Sequence, residues 1–128
     1  MGFVHLHTHS EYSALDGMGK IKELFQSAKD LGQHALAITD HGTSAGAWEA
    51  QKVADELDMK IIHGQEFYYQ RENDGKNGHL LVLAKTDEGL KNIFRMQEYA
   101  SVHNFYYNPR INWDILRQFS EGLIVVIF

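Results

Sequence analysis

Histidines occupy positions 5, 7 and 9 of "FVHLHTHSEYSALDG" (residues 3–17), alternating with Val4, Leu6 and Thr8, and Asp16 follows. In an extended chain, residues i, i+2 and i+4 share a face, so three imidazoles would line one side of this segment. Three more groups of the same chemistry stand where apolar runs end or begin: His41 in "TDHG", Glu66 in "GQE" and His79 before "LLVLA". The chain has no cysteine, so a metal would be held by imidazole and carboxylate. That is the donor set of hydrolytic zinc, manganese or iron sites, in which a carboxylate such as Glu66 can bridge two ions about 3.5–4 Å apart. A His-x-His pair alone is an ordinary find on protein surfaces. Joined by His41 and Glu66, each at an expected strand end, it points to metal binding by His7, His9, His41 and Glu66.

Other polar residues carry weaker signals. His5 shares the face of His7 but lies deeper, which suits support rather than ligation. His34, His63 and His103 read as ordinary hydrogen-bonded side chains. Glu11 and Tyr12 read as a solvated loop or as the rim of a substrate pocket. Asp40 can orient a metal-bound imidazole or cap the next turn. Trp48, Trp113 and the run Phe67-Tyr68-Tyr69 read as core or as partner-facing surface.

Positioning these groups requires strands that end on one rim. After the opening strand, "GKIKELFQSAKDLG" places Ile21, Leu24, Phe25, Ala28 and Leu31 at helical spacing, with Gly32 to close the helix. "HALAITDHG" then reads as a short apolar strand. "SAGAWEAQKVADELD" returns to a helical period through Ala50, Val53, Ala54 and Leu57, and "MKIIHGQEFYYQ" reads as a third strand. Strand and helix alternating in this way favour a parallel sheet or barrel, whose site forms beyond the carboxyl ends of the strands. "RENDGKNG" reads as a turn into the strand "HLLVLAKT", giving a local hairpin, and His79 joins the rim only if that turn reverses the chain. Thr86 is placed to cap a helix bearing Leu90, Ile93, Phe94 and Ala100 on one face, and Asn112 to cap another with Ile111 and Leu116 as a hydrophobic staple. The final "GLIVVIF" is strand-like and is expected beside the opening strand, as the exposed edge of an unfinished sheet.

Composition narrows the classes. The 128 residues are 44% hydrophobic with one proline, which suits a single folded α/β domain or a piece of one. No apolar run reaches the ~18–20 residues of a membrane span, and the N-terminus lacks a signal-peptide layout. The expectation is a soluble, cytoplasmic chain without a membrane partner. A net charge of −5 with scattered lysine and arginine gives no basic footprint for nucleic acid, although bound metal ions can supply positive charge at a site.

Five blocks, "FVHLHTHSEYSALDG", "ALAITDHGTSAGAWE", "IIHGQEFYY", "HLLVLAKTDEGLKNI" and "NPRINWDILRQFSEGLIVV", resemble in order and spacing the amino-terminal PHP (polymerase and histidinol phosphatase) domain of the C-family replicative polymerases, the bacterial DNA polymerase III alpha subunits. The resemblance covers nearly the whole chain. It implies that residues 1–128 are the N-terminal portion of a distorted (β/α)7 barrel, incomplete here, with up to three divalent metal ions, zinc foremost and manganese or magnesium as alternatives. By motif position the family's ligands fall on His7, His9, Asp16, His41, Glu66 and His79, and all six keep ligand-competent types. That pattern resembles members active as metal-dependent 3′–5′ exonucleases, in which His7, His9, His41 and Glu66 would act through a metal-bound hydroxide. The family's site also takes a Cys or His just after "GLIVVIF" and an Asp and a His farther on, so this chain is expected to be a fragment, inactive alone and prone to self-association through its open edge. The partners implied are a DNA 3′ end and the remainder of the polymerase alpha subunit. Two other readings stand beside this one: a small-molecule phosphoesterase of the histidinol-phosphatase type, and a non-catalytic module whose metals only hold the fold.

Overall fold

The computed structural model describes residues 2–71 and 76–127. Its elements are α1 (Ile21–Asp30), β1 (Ala35–Ile38), α2 (Ala47–Glu56), β2 (Lys60–Gln70), β3 (Asn77–Ala84), α3 (Asp87–Val102), β4 (Phe105–Tyr106), β5 (Asn108–Ile111), α4 (Trp113–Gln118) and β6 (Leu123–Ile127). The strands make one mixed sheet in the order β4-β5-β2-β3-β6, with β1 also paired to β2.

Strand β2 organises the sheet. Its first half pairs in parallel with β1, Ala35 to Lys60 through Ile38 to His63, and its second half pairs with β3 from Gly64–Leu83 to Gln70–Asn77. The link from β2 to β3 is too short for the dozen or more residues of a parallel crossover, so β3 runs antiparallel, as the sequence predicts. Arg71 N–H donates to Lys76 C=O at 3.0 Å, and residues 72–75, where the sequence predicts the turn, lie outside the described residues. On the other edge β5 pairs in parallel with Tyr68 and Tyr69.

Alternation along β2 separates two environments. Its outward residues carry the helices. Ile61 packs with Ile21, Phe25 and Ala28 of α1, Leu36 and Ile38 of β1, and Ala50, Val53 and Ala54 of α2. Phe67 packs with Leu80 and Val82 of β3, Ile93, Met96 and Ala100 of α3, and Ile111 and Leu116. The inward residues begin apolar, Ile62 joining Ala37, Leu81 and Leu83 as a floor, and continue upward as Glu66 and Tyr68.

The helix ends follow the sequence signals. Gly32 takes φ +75° after α1, and the N–H groups of Gly32 and Gln33 bond back to Lys29 and Ala28. Thr86 accepts from Gly89 N–H and Asn112 from Ile115 N–H, and the Ile111–Leu116 staple is buried.

Several expectations need correction. Residues 3–10 run beside β1 without forming a strand. Ala37 N–H donates to His5 C=O and Thr39 N–H to Thr8 C=O, a step of two residues against three, and Thr8 N–H goes to the Thr39 hydroxyl, so no ladder can propagate. "GLIVVIF" does not lie beside that segment: β6 pairs antiparallel with β3, Leu80 to Ile127 through Ala84 to Leu123, where Leu123 and Val125 join the α3/α4 core. Leu31 and Phe94 face outward, because the buried stripe of α1 ends at Ala28 and that of α3 runs through Gly89, Asn92, Ile93 and Met96. Glu66 lies mid-strand rather than at a strand end, and His79 is the third residue of β3 rather than its start. The short β4–β5 hairpin had no periodic signal at all. Among the described residues, no helix is long and apolar enough to cross a membrane.

Candidate metal centre

Glu66 is the hub. Its carboxylate, 3% exposed, rises from the inner face of β2 just above the apolar floor. Oε2 lies 2.5 Å from His7 Nε2 and 2.8 Å from His9 Nε2, while Oε1 lies 3.6 Å from His41 Nδ1 and 3.8 Å from His79 Nδ1. Asp16 closes the far side, its Oδ2 2.5 Å from His9 Nδ1 and 3.3 Å from His41 Nε2. All six residues singled out by the ligand pattern therefore meet in one cluster.

They arrive from five separate stretches of the chain. His7 and His9 come from the irregular first segment, which the Ala37 and Thr39 amides hold against β1. His41 follows β1 and makes an isolated parallel bridge with Glu66. His79 pairs with Tyr68 across the antiparallel β2–β3 ladder, which puts its ring on the same face. Asp16 sits in a loop whose closure depends on Gly17, where a Cβ would meet Ser10 C=O at 1.8 Å. Leu15, just before Asp16, takes φ +72° and is exposed, a conformation that costs a branched residue about 1–3 kcal/mol.

Asp40 holds that loop in place. It is 2% exposed and accepts from Ser10 N–H (2.6 Å), Ser10 Oγ–H (2.8 Å) and Ser13 Oγ–H (3.0 Å), and Ser13 Oγ accepts in turn from His41 N–H. Asp40 thus ties the Asp16 loop to the end of β1, and its partners are neither a ligand imidazole nor the next turn. Ser10, Ser13 and Tyr68 are the site residues that sequence reasoning passed over. The two buried serines had one readable signal, the S-x-x-S spacing inside a turn-forming segment. Tyr68 lies over the cluster rather than in the core, stacked 5.9 Å from His41 and tilted 5.2 Å from His79.

Electrostatics follow from this packing. Burial pushes the Glu66 carboxyl up, but the hydrogen bonds from His7 and His9 and the nearby His41 charge prevail and hold it below the usual carboxylate range. Burial lowers His41, outweighing the pull of Glu66 and Asp16, with help from His9 and His79. The cluster therefore favours a carboxylate beside a neutral imidazole, which is the state metal ligation requires. His41 Nδ1 is also buried with no hydrogen-bond partner. Burial and then the charges of Glu66 and Asp16 raise Tyr68, keeping its phenol protonated.

Three overlapping sets of donor atoms, each within 4.8 Å of one another, result: His7–His9–Glu66, His9–Asp16–His41 and His41–Glu66–His79. His5, His34, His63 and His103 belong to none of them. His5 instead packs edge-on against Phe3 at 4.7 Å, and His63 Nε2 meets Gln51 Oε1 at 3.0 Å. Tyr12 donates to Glu49 at 2.8 Å, and Trp48 is exposed, whereas Trp113 packs on Tyr69.

The chain is 42% identical over 133 residues to a DNA polymerase III subunit alpha of Treponema pallidum, covering 97% of this chain and 11% of that protein. It is 38% identical over 138 residues to the same subunit of Aquifex aeolicus, covering 97% of this chain and 12% of that one. It thus spans little more than a tenth of these relatives. Among solved structures it superposes on a putative metal-dependent phosphoesterase of Bifidobacterium adolescentis (TM-score 0.53, 26% identity, 93% of this chain and 43% of that chain). It also superposes on an amidohydrolase of Chromobacterium violaceum (TM-score 0.60, 24% identity, 76% of this chain and 32% of that chain). The sequence profile described as PHP domain matches residues 5–128, and with the fold and the convergent histidines in hand, this chain belongs to the PHP domain family.

Proposed function

We propose that the chain supplies a metal-dependent phosphodiesterase site, and that in the longer polypeptide its relatives represent it works on the DNA 3′ end beside a replicative polymerase. The observation that carries this reading is the convergence of His7, His9, His41 and His79 on Glu66, with Asp16 closing against His9 and His41. The names of the relatives and of the phosphoesterase neighbour support it.

A neutral imidazole has one lone pair to give, so each histidine serves one ion at a time. With that rule the donors divide three ways: His7, His9 and Glu66 Oε2; Glu66 Oε1 and His79; Asp16 and His41. The first set, with three donors, would hold an ion most tightly, and Glu66 would serve the second set through Oε1. Nitrogen and carboxylate oxygen without thiolate suit zinc, with manganese or magnesium as the harder alternatives. Ions held there would activate water and neutralise a phosphate. The chain's own contributions are distinct: Asp40 fixes the loop that aims Asp16, the floor of Ala37, Ile62, Leu81 and Leu83 excludes water from below, and the protonated Tyr68 offers a hydroxyl donor at the mouth.

Element analysis after dialysis against zinc tests the assignment. His9→Ala should lose zinc and the zinc-dependent rise in melting temperature, while His103→Ala, at the exposed end of α3, should keep both. Equal zinc in His9→Ala and wild type would refute it.

A further inference from the structure

Beside the donor cluster stands a buried cation with only neutral partners. Arg110 of β5 pairs with Tyr68 of β2, so its side chain leaves the sheet on the face that carries Glu66 and Tyr68. It is 9% exposed. Its Nη2 reaches Asn104 Oδ1 at a long 3.4 Å, its guanidinium lies 5.2 Å from the Tyr106 ring centre, and its Nε is buried with no hydrogen-bond partner. Among the described residues no carboxylate lies within ion-pair distance of it. Arginine stays charged, and a buried charge without a counter-ion is costly, so the geometry calls for an anion.

The surroundings say which kind. Tyr106 and Tyr107 form the tip of the β4–β5 hairpin, 60% and 82% exposed, with rings edge to face at 4.7 Å. Tyr107 holds φ +59°, a strained backbone for an aromatic residue, so the tip is fixed against its local preference. The hairpin abuts the cluster: a Cβ on Gly42, next to His41, would lie 2.9 Å from the Tyr68 ring and 3.1 Å from Pro109. Arg110 is level with Tyr68, two residues or about 6.6 Å along β2 from Glu66. An anion-seeking group and an exposed aromatic face, one step from the donor cluster, match one nucleotide of a single strand.

We propose that Arg110 and Tyr106 form a nucleotide subsite for single-stranded DNA: Arg110 pairs with the phosphodiester adjacent to the one at the donor cluster, and Tyr106 stacks on its base. This rests on the phosphodiesterase reading above and adds how the strand is held. Stacking on a ring is indifferent to base identity, so the subsite grips without reading sequence.

The test is fluorescence anisotropy of a 5′-fluorescein oligothymidylate with the zinc-loaded chain across a salt series, with zinc content measured on every sample. Tyr106→Ala should weaken binding about tenfold and leave the slope of log K against log salt unchanged, while Tyr106→Phe binds as wild type. Arg110→Gln should flatten that slope by about 0.7, one single-strand phosphate contact, and Arg110→Lys should restore it. Zinc content should be the same in all four variants. Because Tyr106 is exposed, its alanine variant remains informative even if Arg110→Gln folds poorly. Wild-type zinc protein that fails to bind the oligonucleotide, or a Tyr106→Ala variant that binds as wild type, would overturn the subsite alone. A wild-type chain that holds no zinc would overturn the metal reading and the subsite with it.

Discussion

Replacing Asp40 with alanine should cost the metal-free protein about 4 kcal/mol, a quarter or more of the stability of a domain whose total falls in the usual range of about 5–15 kcal/mol. The carboxylate accepts three buried hydrogen bonds, from Ser10 N–H, Ser10 Oγ–H and Ser13 Oγ–H. A bond to a charged acceptor contributes about 1.5–3 kcal/mol, and Asp40→Ala would leave the Ser10 amide without an acceptor. The two hydroxyls can rotate towards each other or towards entering water, which brings the sum to the low end. Asp40→Asn makes the contrast. Its carbonyl still accepts from Ser10 N–H and Ser13, and its amide can donate to Ser10 Oγ, so only the charge assistance goes, about 1 kcal/mol. Urea unfolding in chelator measures both variants. Isothermal titration with zinc should also show at least a tenfold weaker first site in the alanine variant, since the His9–Asp16 loop loses its anchor. A loss below about 1.5 kcal/mol for Asp40→Ala, or equal losses for the two variants, would show that the loop stands without this bond network.

Two further outcomes follow from packing. Burial lowers His63 below its ordinary value near 6.5, so the unfolded chain takes up a proton before the folded one as pH falls, and stability declines between 6.5 and the lowered value. His63→Gln should flatten that part of the pH profile of the urea midpoint, and a profile parallel to wild type would reject the argument. Gly89→Ala would put a Cβ 2.0 Å from Gly122 C=O, a backbone atom that cannot swing aside, so the start of α3 must separate from the turn before β6 at about 2–3 kcal/mol. An unchanged urea midpoint would mean that this contact has slack.

What the sequence disclosed was what local rules control. The caps at Thr86 and Asn112, the α1 terminus at Gly32 and the β2–β3 hairpin all depend on neighbours within a few residues, and all could be read. The six donor residues could be listed because their types are scarce and their positions relative to the expected strands were informative, which then made their convergence a matter of topology. Pairing partners were harder. Nothing within "GLIVVIF" states that its neighbour is β3, since that choice rests on the core that Leu123 and Val125 share with Leu80 and Val82. Residues 3–10 alternate as a strand does, yet the uneven step against Ala37 and Thr39 breaks their ladder. The β4–β5 hairpin went unread because its strands are too short to show a period and its turn signal, Asn108-Pro109, falls past the tip, which relies on strain at Tyr107. Asp40 was misread for a related reason: its partners, Ser10 and Ser13, stand about 30 positions away.

The separation between the donors along the chain bears on time as well as on equilibrium. His7 and Glu66 meet across 59 positions, and their meeting depends on the pairing of β1 with β2 and on the first segment lying against β1. Such contacts form late, because loop closure must precede them. An ion captured there would therefore add little to the rate at which the chain folds and would act almost wholly on the rate at which it comes apart. The cluster works as a latch, closing on a structure already made and lengthening its lifetime, so a chelator would reveal itself first in faster unfolding while the refolding rate stays nearly the same.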